Sequence, residues 1–147
     1  KDLKPLLYAR DSFQLVIDKF PLTDFAIDAK YKLDLINDLL AAKEIYIARH
    51  YIKKEKWIPA INRLKIVVSN YDTTIYIEEA LHRLVEIHYR IGLVNEAKMY
   101  ANTLGYNYLS SKWYKESYRV FNKDYKIDRK TSKKEKKKLR DRIKSFF

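Results

Sequence analysis

The chain has 147 residues and no cysteine, which excludes disulfide frameworks, zinc knuckles and thiol nucleophiles, and its length suits one domain or a short repeat array with a sizeable core. Two glycines and three prolines are too few for a turn-dense all-β chain and point to helices, and no stretch approaches the roughly 20 apolar residues of a membrane span. The net charge of +12 is uneven: Lys123 to Lys144 holds twelve Lys or Arg against four acids, a net of +8, leaving +4 for everything else.

Pro5 stands where a helix can begin, and Leu6 to Phe20 then carries an apolar stripe at Ala9, Phe13, Val16 and Phe20 before Pro21 ends it. Thr23-Asp24 caps a long helical run with no Gly or Pro between Leu22 and Ile58, in which Leu33, Ile36, Leu40, Ile47 and Tyr51 keep helical spacing. A single elongated helix is the simplest reading, with a break near Asn37-Asp38 as the alternative. A turn over Lys53–Lys56 leads to Trp57-Ile58-Pro59, where Pro59 is tolerated in the first turn of the next helix. Tyr71-Asp72-Thr73-Thr74 reads as a terminator and cap. Glu79 to Ile91 and Val94 to Leu104 form two more helices around a turn at Gly92. Gly105 reads as a C-cap followed by a loop, and Lys112 to Phe121 as a short aromatic helix.

Within this run, Ala48 and Tyr51 share one helix face, and Ala60, Leu64 and Val67 form the facing stripe of the next helix. A small residue and a Tyr three apart, an Ala nine residues later and a large residue four beyond that are the tetratricopeptide offsets. Two antiparallel helices nest closely only where one surface is reduced to Ala and the other supplies bulk. The same small positions recur at Ala9 and Ala97, and Ala60 and Ala97 are 37 residues apart. Ala9 and Ala60 are 51 apart where one repeat needs about 34, which places the surplus in the elongated helix. The expected architecture is therefore an all-α tetratricopeptide-type superhelix: a half repeat over 6–21, repeats over 23–72 and 74–104, an exit segment over 105–121 and a basic tail over 122–147, partly helical or disordered. The half repeat is a second helix without its first, so the chain is expected to begin inside a larger array.

Beyond the repeat period, DAKYKLDLINDLLAAKE (Asp28–Glu44), RHYIKKEKWIPAINRLKIVV (Arg49–Val68), EALHRLVEIHYRIGL (Glu79–Leu93) and NYLSSKWY (Asn107–Tyr114) resemble, in order and spacing, the C-terminal half of the BamD family of outer-membrane assembly lipoproteins, closest to alphaproteobacterial members. The resemblance covers about Leu6 to Val120. It implies a five-repeat scaffold of the β-barrel assembly machine of Gram-negative bacteria, on the periplasmic face of the outer membrane, held by a lipidated Cys outside this chain. It further implies that these repeats dock the POTRA region of BamA and that the whole protein assists insertion of unfolded outer-membrane proteins beside other lipoproteins of the complex. Arg63 matches the family arginine at the BamA contact. Leu109 stands where the family usually has Pro, and Leu64 where it often has Phe.

The residues imply no enzyme, cofactor or metal. Glu78, His82 and Glu86 fall at four-residue steps, but one helix supplies too few ligands for a metal and such pairs are ordinary on helix surfaces. His88 occupies a Tyr position and reads as a packed core histidine. By sequence alone Arg63 is a solvated helix arginine; the resemblance makes it, with its neighbour Asn62, a candidate partner contact. Trp57 reads as packing between repeats. Trp113 and Tyr114 either cap the last repeat or anchor a partner, with capping favoured, and all three aromatics join Arg63 and Asn62 as candidate partner-contact residues. The basic tail supports three readings: a solubilising arm, attraction to anionic lipid, or non-specific binding of nucleic acid. The Tyr residues sit at packing positions in the body rather than among the tail lysines, so no specific nucleic acid is expected. The competing functional class is a cytosolic helical-repeat adaptor whose tail binds RNA or ribosomes.

Overall fold

The protein is described by a computed structural model that covers residues 3–122. Among these residues there are six helices and no strand: α1 (Lys4–Lys19), α2 (Asp24–Lys53), α3 (Trp57–Asn70), α4 (Ile77–Arg90), α5 (Val94–Asn107) and α6 (Lys112–Phe121). Each helix packs on the next, and α6 folds back onto α4 as well as α5. This is the tetratricopeptide-type arrangement, with α2 as its elongated member. The basic run from Lys123 onward lies outside the described residues.

α1 has Pro in its first turn and ends at Phe20, whose N–H bonds to the Val16 carbonyl at 2.9 Å. The expected stripe is half-buried at Ala9, Phe13 and Val16. Phe20 departs from it: the backbone has already left the helix there, and the ring is 57% exposed.

α2 begins where expected, with the Thr23 hydroxyl accepting from the Ala26 N–H and Asp24 in the first turn, where the helix dipole favours an acid. It runs unbroken through Asn37-Asp38 for 30 residues, about 45 Å at 1.5 Å per residue. It can serve two neighbours because of that length. Its first turns lie along α1, with Lys32 Nζ 5.6 Å from the Phe13 ring centre, and its last turns pack on α3.

The α2–α3 seam meets the close-approach requirement. Ala41, Ala48 and Ala60 are fully buried beside Ile45, Leu64 and Val67, and Tyr51 packs on the same cluster, which continues into Ala80, Leu84 and Ile87 of α4. α4 is the most enclosed helix, and Ile77, Leu81 and Leu104 form a second cluster between it and α5.

Two local expectations are corrected. Thr74 does not cap α4: its hydroxyl donates to the Tyr71 carbonyl at 2.6 Å and finishes the turn after α3, while α4 starts at Ile77, without a side-chain cap. Gly105 is not a C-cap either, since α5 continues to Asn107. A Cβ at Gly105 would lie 2.7 Å from Cε2 of Tyr114, so the missing side chain makes room for the α6 ring. Gly92 does turn the chain between α4 and α5, with φ +87°. Glu55 holds the matching left-handed position between α2 and α3 at φ +56°, where a side chain strains the backbone.

Candidate docking site

α3 presents its outer surface between two buried faces. Ala60, Ile61 and Leu64 point into the core, so Asn62 is left exposed and Arg63 half-buried at the seam with α2. One terminal nitrogen of Arg63, Nη1, donates to Glu44 Oε2 at 3.1 Å. The Arg63 side chain is 41% exposed against 14% for Glu44, so the carboxylate is the fixed partner and the guanidinium the outward one. A guanidinium has five N–H donors in a planar fork, and one hydrogen bond to Glu44 leaves an edge able to grip a second carboxylate.

Trp57 opens α3 and packs on the α2–α3–α4 cluster, with the Arg90 guanidinium 5.3 Å from its ring centre. Its role between helices agrees with the packing expectation. Trp113 and Tyr114 fall elsewhere, in the second cluster with Ile77, Leu81 and Leu104. Trp113 lies 5.1 Å from the His82 ring, with the Arg83 guanidinium 5.7 Å from its centre, and Tyr114 fills the space over Gly105. The five candidates thus do not form one patch. Asn62, Arg63 and Trp57 lie on α3, while Trp113 and Tyr114 close the α4–α5 pair from α6.

Sequence reasoning missed a polar seam along α4. Glu79 is buried at 4% exposure and accepts a two-pronged bond from Arg49 of α2, with Arg49 Nε 2.7 Å from Oε1 and Nη2 on Oε2. That hydrogen bond raises the pKa of Arg49 further, so the guanidinium stays charged. Arg83 Nε lies 3.6 Å from the same Glu79 carboxylate, too far for a hydrogen bond, while its Nη1 donates to Glu86 at 2.8 Å. Burial would raise the Glu86 carboxyl, but its hydrogen bonds and Coulombic attraction to His82 and Arg83 win and hold it at about 2.

His82 itself is buried. Its Nδ1 lies 2.8 Å from the Ser117 hydroxyl of α6 and its Nε2 3.5 Å from Glu86. Of Glu78, His82 and Glu86 at four-residue spacing, His82 thus meets α6 through Ser117 and Glu86 meets His82, while Glu78 has no part in this contact. Among the described residues no group of three or more His, Cys, Asp or Glu is placed to hold a metal ion. His88 is buried, with Nδ1 2.7 Å from the Leu84 carbonyl and its ring against Tyr100. The signal for the Glu79 pair was present only as an acid at a position that the repeat pattern turns inward; its partner lies 30 residues away.

The arrangement offers charged and aromatic contacts on packed helices. The family model for YfiO, an outer membrane lipoprotein, matches residues 1–104. The chain belongs to this family. It is 53% identical over 112 residues to the outer membrane protein assembly factor BamD of Rickettsia prowazekii, a match covering 76% of this chain and 45% of the relative. It is 44% identical over 107 residues to that of Caulobacter vibrioides, covering 73% of the chain and 35% of the relative. A more distant BamD, from Neisseria gonorrhoeae, is 32% identical over 90 residues. The chain therefore spans less than half the length of the first two relatives.

Proposed function

We propose that this chain is a docking part of a non-enzymatic scaffold in outer-membrane protein assembly, working at the periplasmic face of the outer membrane. Its task in this reading is to bind the POTRA region of BamA and so help β-barrel proteins insert. The observation that carries the reading is the state of Arg63: held at one nitrogen by Glu44, outward-facing at the others, and set on a helix whose inner face is locked into the core. Such a guanidinium is pre-oriented for a partner carboxylate without first ordering a loop. Asn62 beside it supplies a further exposed polar contact, while Trp57 acts by fixing α3 against its neighbours and Trp113 and Tyr114 by closing the α4–α5 pair. BamD relatives are named as assembly factors, and that naming supports the class of function.

The test is a titration of the wild-type chain, Arg63→Lys and Arg63→Glu against the POTRA region of the cognate BamA, at ~150 mM salt so that diffuse charge attraction is screened. Arg63→Glu should weaken saturable binding by about tenfold or more, and Arg63→Lys should weaken it by less, because an ammonium keeps the charge and loses the fork. Binding that is absent in the wild type, or equal in all three while an RNA oligonucleotide binds, would turn the reading toward the cytosolic adaptor.

A further inference from the structure

Successive helices alternate in direction, so the α2–α3 and α4–α5 turns come to the same end of the array. The Arg90 guanidinium over the Trp57 ring joins the two turns there. The first turn exposes Lys53, Lys54 and Lys56, followed by Ile58 at 65% exposure. The second adds exposed Arg90, with Leu93 and Val94 at 44% and 37%. Glu55 and Glu96 are the acids in these stretches, so the end is cationic on balance.

The backbone beneath these side chains is fixed. Lys54, Glu55 and Lys56 each donate their N–H back to the last turn of α2, at 3.2, 2.9 and 2.9 Å, and Leu93 N–H bonds to the His88 carbonyl at 2.8 Å. Three branched aliphatic side chains thus stand out on two rigid, neighbouring turns, with cations around them. A carboxylate-bearing protein partner would be gripped best by forked guanidinium groups at fixed geometry. Lysines are compact charges on flexible stems, suited to a fluid layer of phosphates, and solvent-facing aliphatic tips without a groove suit shallow contact with the headgroup boundary.

We propose that this end of the array rests on an anionic lipid surface, with Lys53, Lys54, Lys56 and Arg90 facing the phosphates and Ile58, Leu93 and Val94 at the headgroup boundary. The surface is separate from Arg63, and the proposal stands whether or not Arg63 binds BamA. Seating these two turns on a bilayer sets the long axes of α2 to α5 at a steep angle to it and leaves the opposite end, with Asp72 before α4 and Glu78 in its first turn, directed away.

The experiment is flotation of the full chain with phosphatidylcholine vesicles, with and without phosphatidylglycerol, at ~150 mM salt. The wild type should float with the anionic vesicles and not with the neutral ones. Each lysine near the surface is worth about 1 kcal/mol, or about fivefold, so Lys54→Glu/Lys56→Glu should lower binding by more than about tenfold. Ile58→Ser/Leu93→Ser should also weaken it. The control Lys30→Glu/Lys65→Glu makes the same change in net charge away from the turns and should leave binding within about twofold. All variants carry the basic segment Lys123–Lys144 unchanged. Equal losses in the two charge variants, unchanged binding in both turn variants, or capture of an RNA oligonucleotide in place of vesicles would each overturn the proposal.

Discussion

α1 and α4 are helices of similar length, 16 and 14 residues, yet nine residues of α4 are buried and none of α1. Both carry apolar residues at helical spacing, so the difference does not lie in pattern. It lies in neighbours: α4 is packed by α3, α5 and α6, whereas α1 meets α2. In a helical array burial comes from the stacking of layers, and a helix with a neighbour on one side keeps its other apolar side chains in water. Within these two helices, Leu15 at 52% exposure and Leu84 at 0% are the two extremes of the same residue type.

The largest effect should come from hollowing the enclosed side. Leu84→Ala is expected to cost about 2–5 kcal/mol in urea unfolding, because its cavity is lined by two helix layers that cannot collapse. Leu15→Ala should fall within about 0.5 kcal/mol, as for a surface change. A Leu15 cost matching that of Leu84 would mean that α1 is covered in solution and would remove the contrast.

A smaller loss is expected in the polar seam. Glu79→Gln keeps the volume but takes the charge from Arg49 and Arg83, and should cost about 2 kcal/mol, the usual scale for a hydrogen bond to a charged group. Loss of α2–α4 docking should show as faster amide exchange around Arg49 and Glu79, while α1 stays unchanged.

The smallest effect should appear as a pH dependence. The folded Glu86 carboxyl is held at about 2, below its ordinary 4.5, so its contribution to stability is present above pH 4.5 and is lost as the pH falls from there toward 2. Because this side chain is 40% exposed, solvent screening keeps the loss under about 1 kcal/mol. Glu86→Gln should flatten that part of the stability curve, and an unchanged curve would show that the His82–Glu86–Arg83 contacts carry no weight there.

Much of the helical framework was legible from local chemistry. Thr23 has the hydroxyl that accepts a first-turn N–H, Gly92 has the freedom that a left-handed turn needs, and Ala48, Ala60 and Ala97 mark where helices touch. The unbroken α2 follows from a run without Gly or Pro. Where sequence reasoning failed, a residue had two possible uses that only its neighbours separate. Gly105 could end a helix or admit a ring, and Tyr114 decides for the ring. Thr74 could cap forward or backward, and it bonds backward to Tyr71. Phe20 kept helical spacing one residue beyond the point where the helix stopped.

The candidate site divides in the same way. The sequence by itself determined that the chain is a helical array with Arg63 and Asn62 on the third helix and large aromatics at Trp57, Trp113 and Tyr114, because periodicity and small-residue spacing are properties of neighbouring positions along the chain. Only the tertiary structure decided that Glu44 holds Arg63, that Glu79 is buried against Arg49, that His82 meets Ser117 from α6, and that two basic turns share one end. Those pairings join residues 19 to 35 positions apart on different helices, and their geometry depends on how closely the buried alanines let the helices approach.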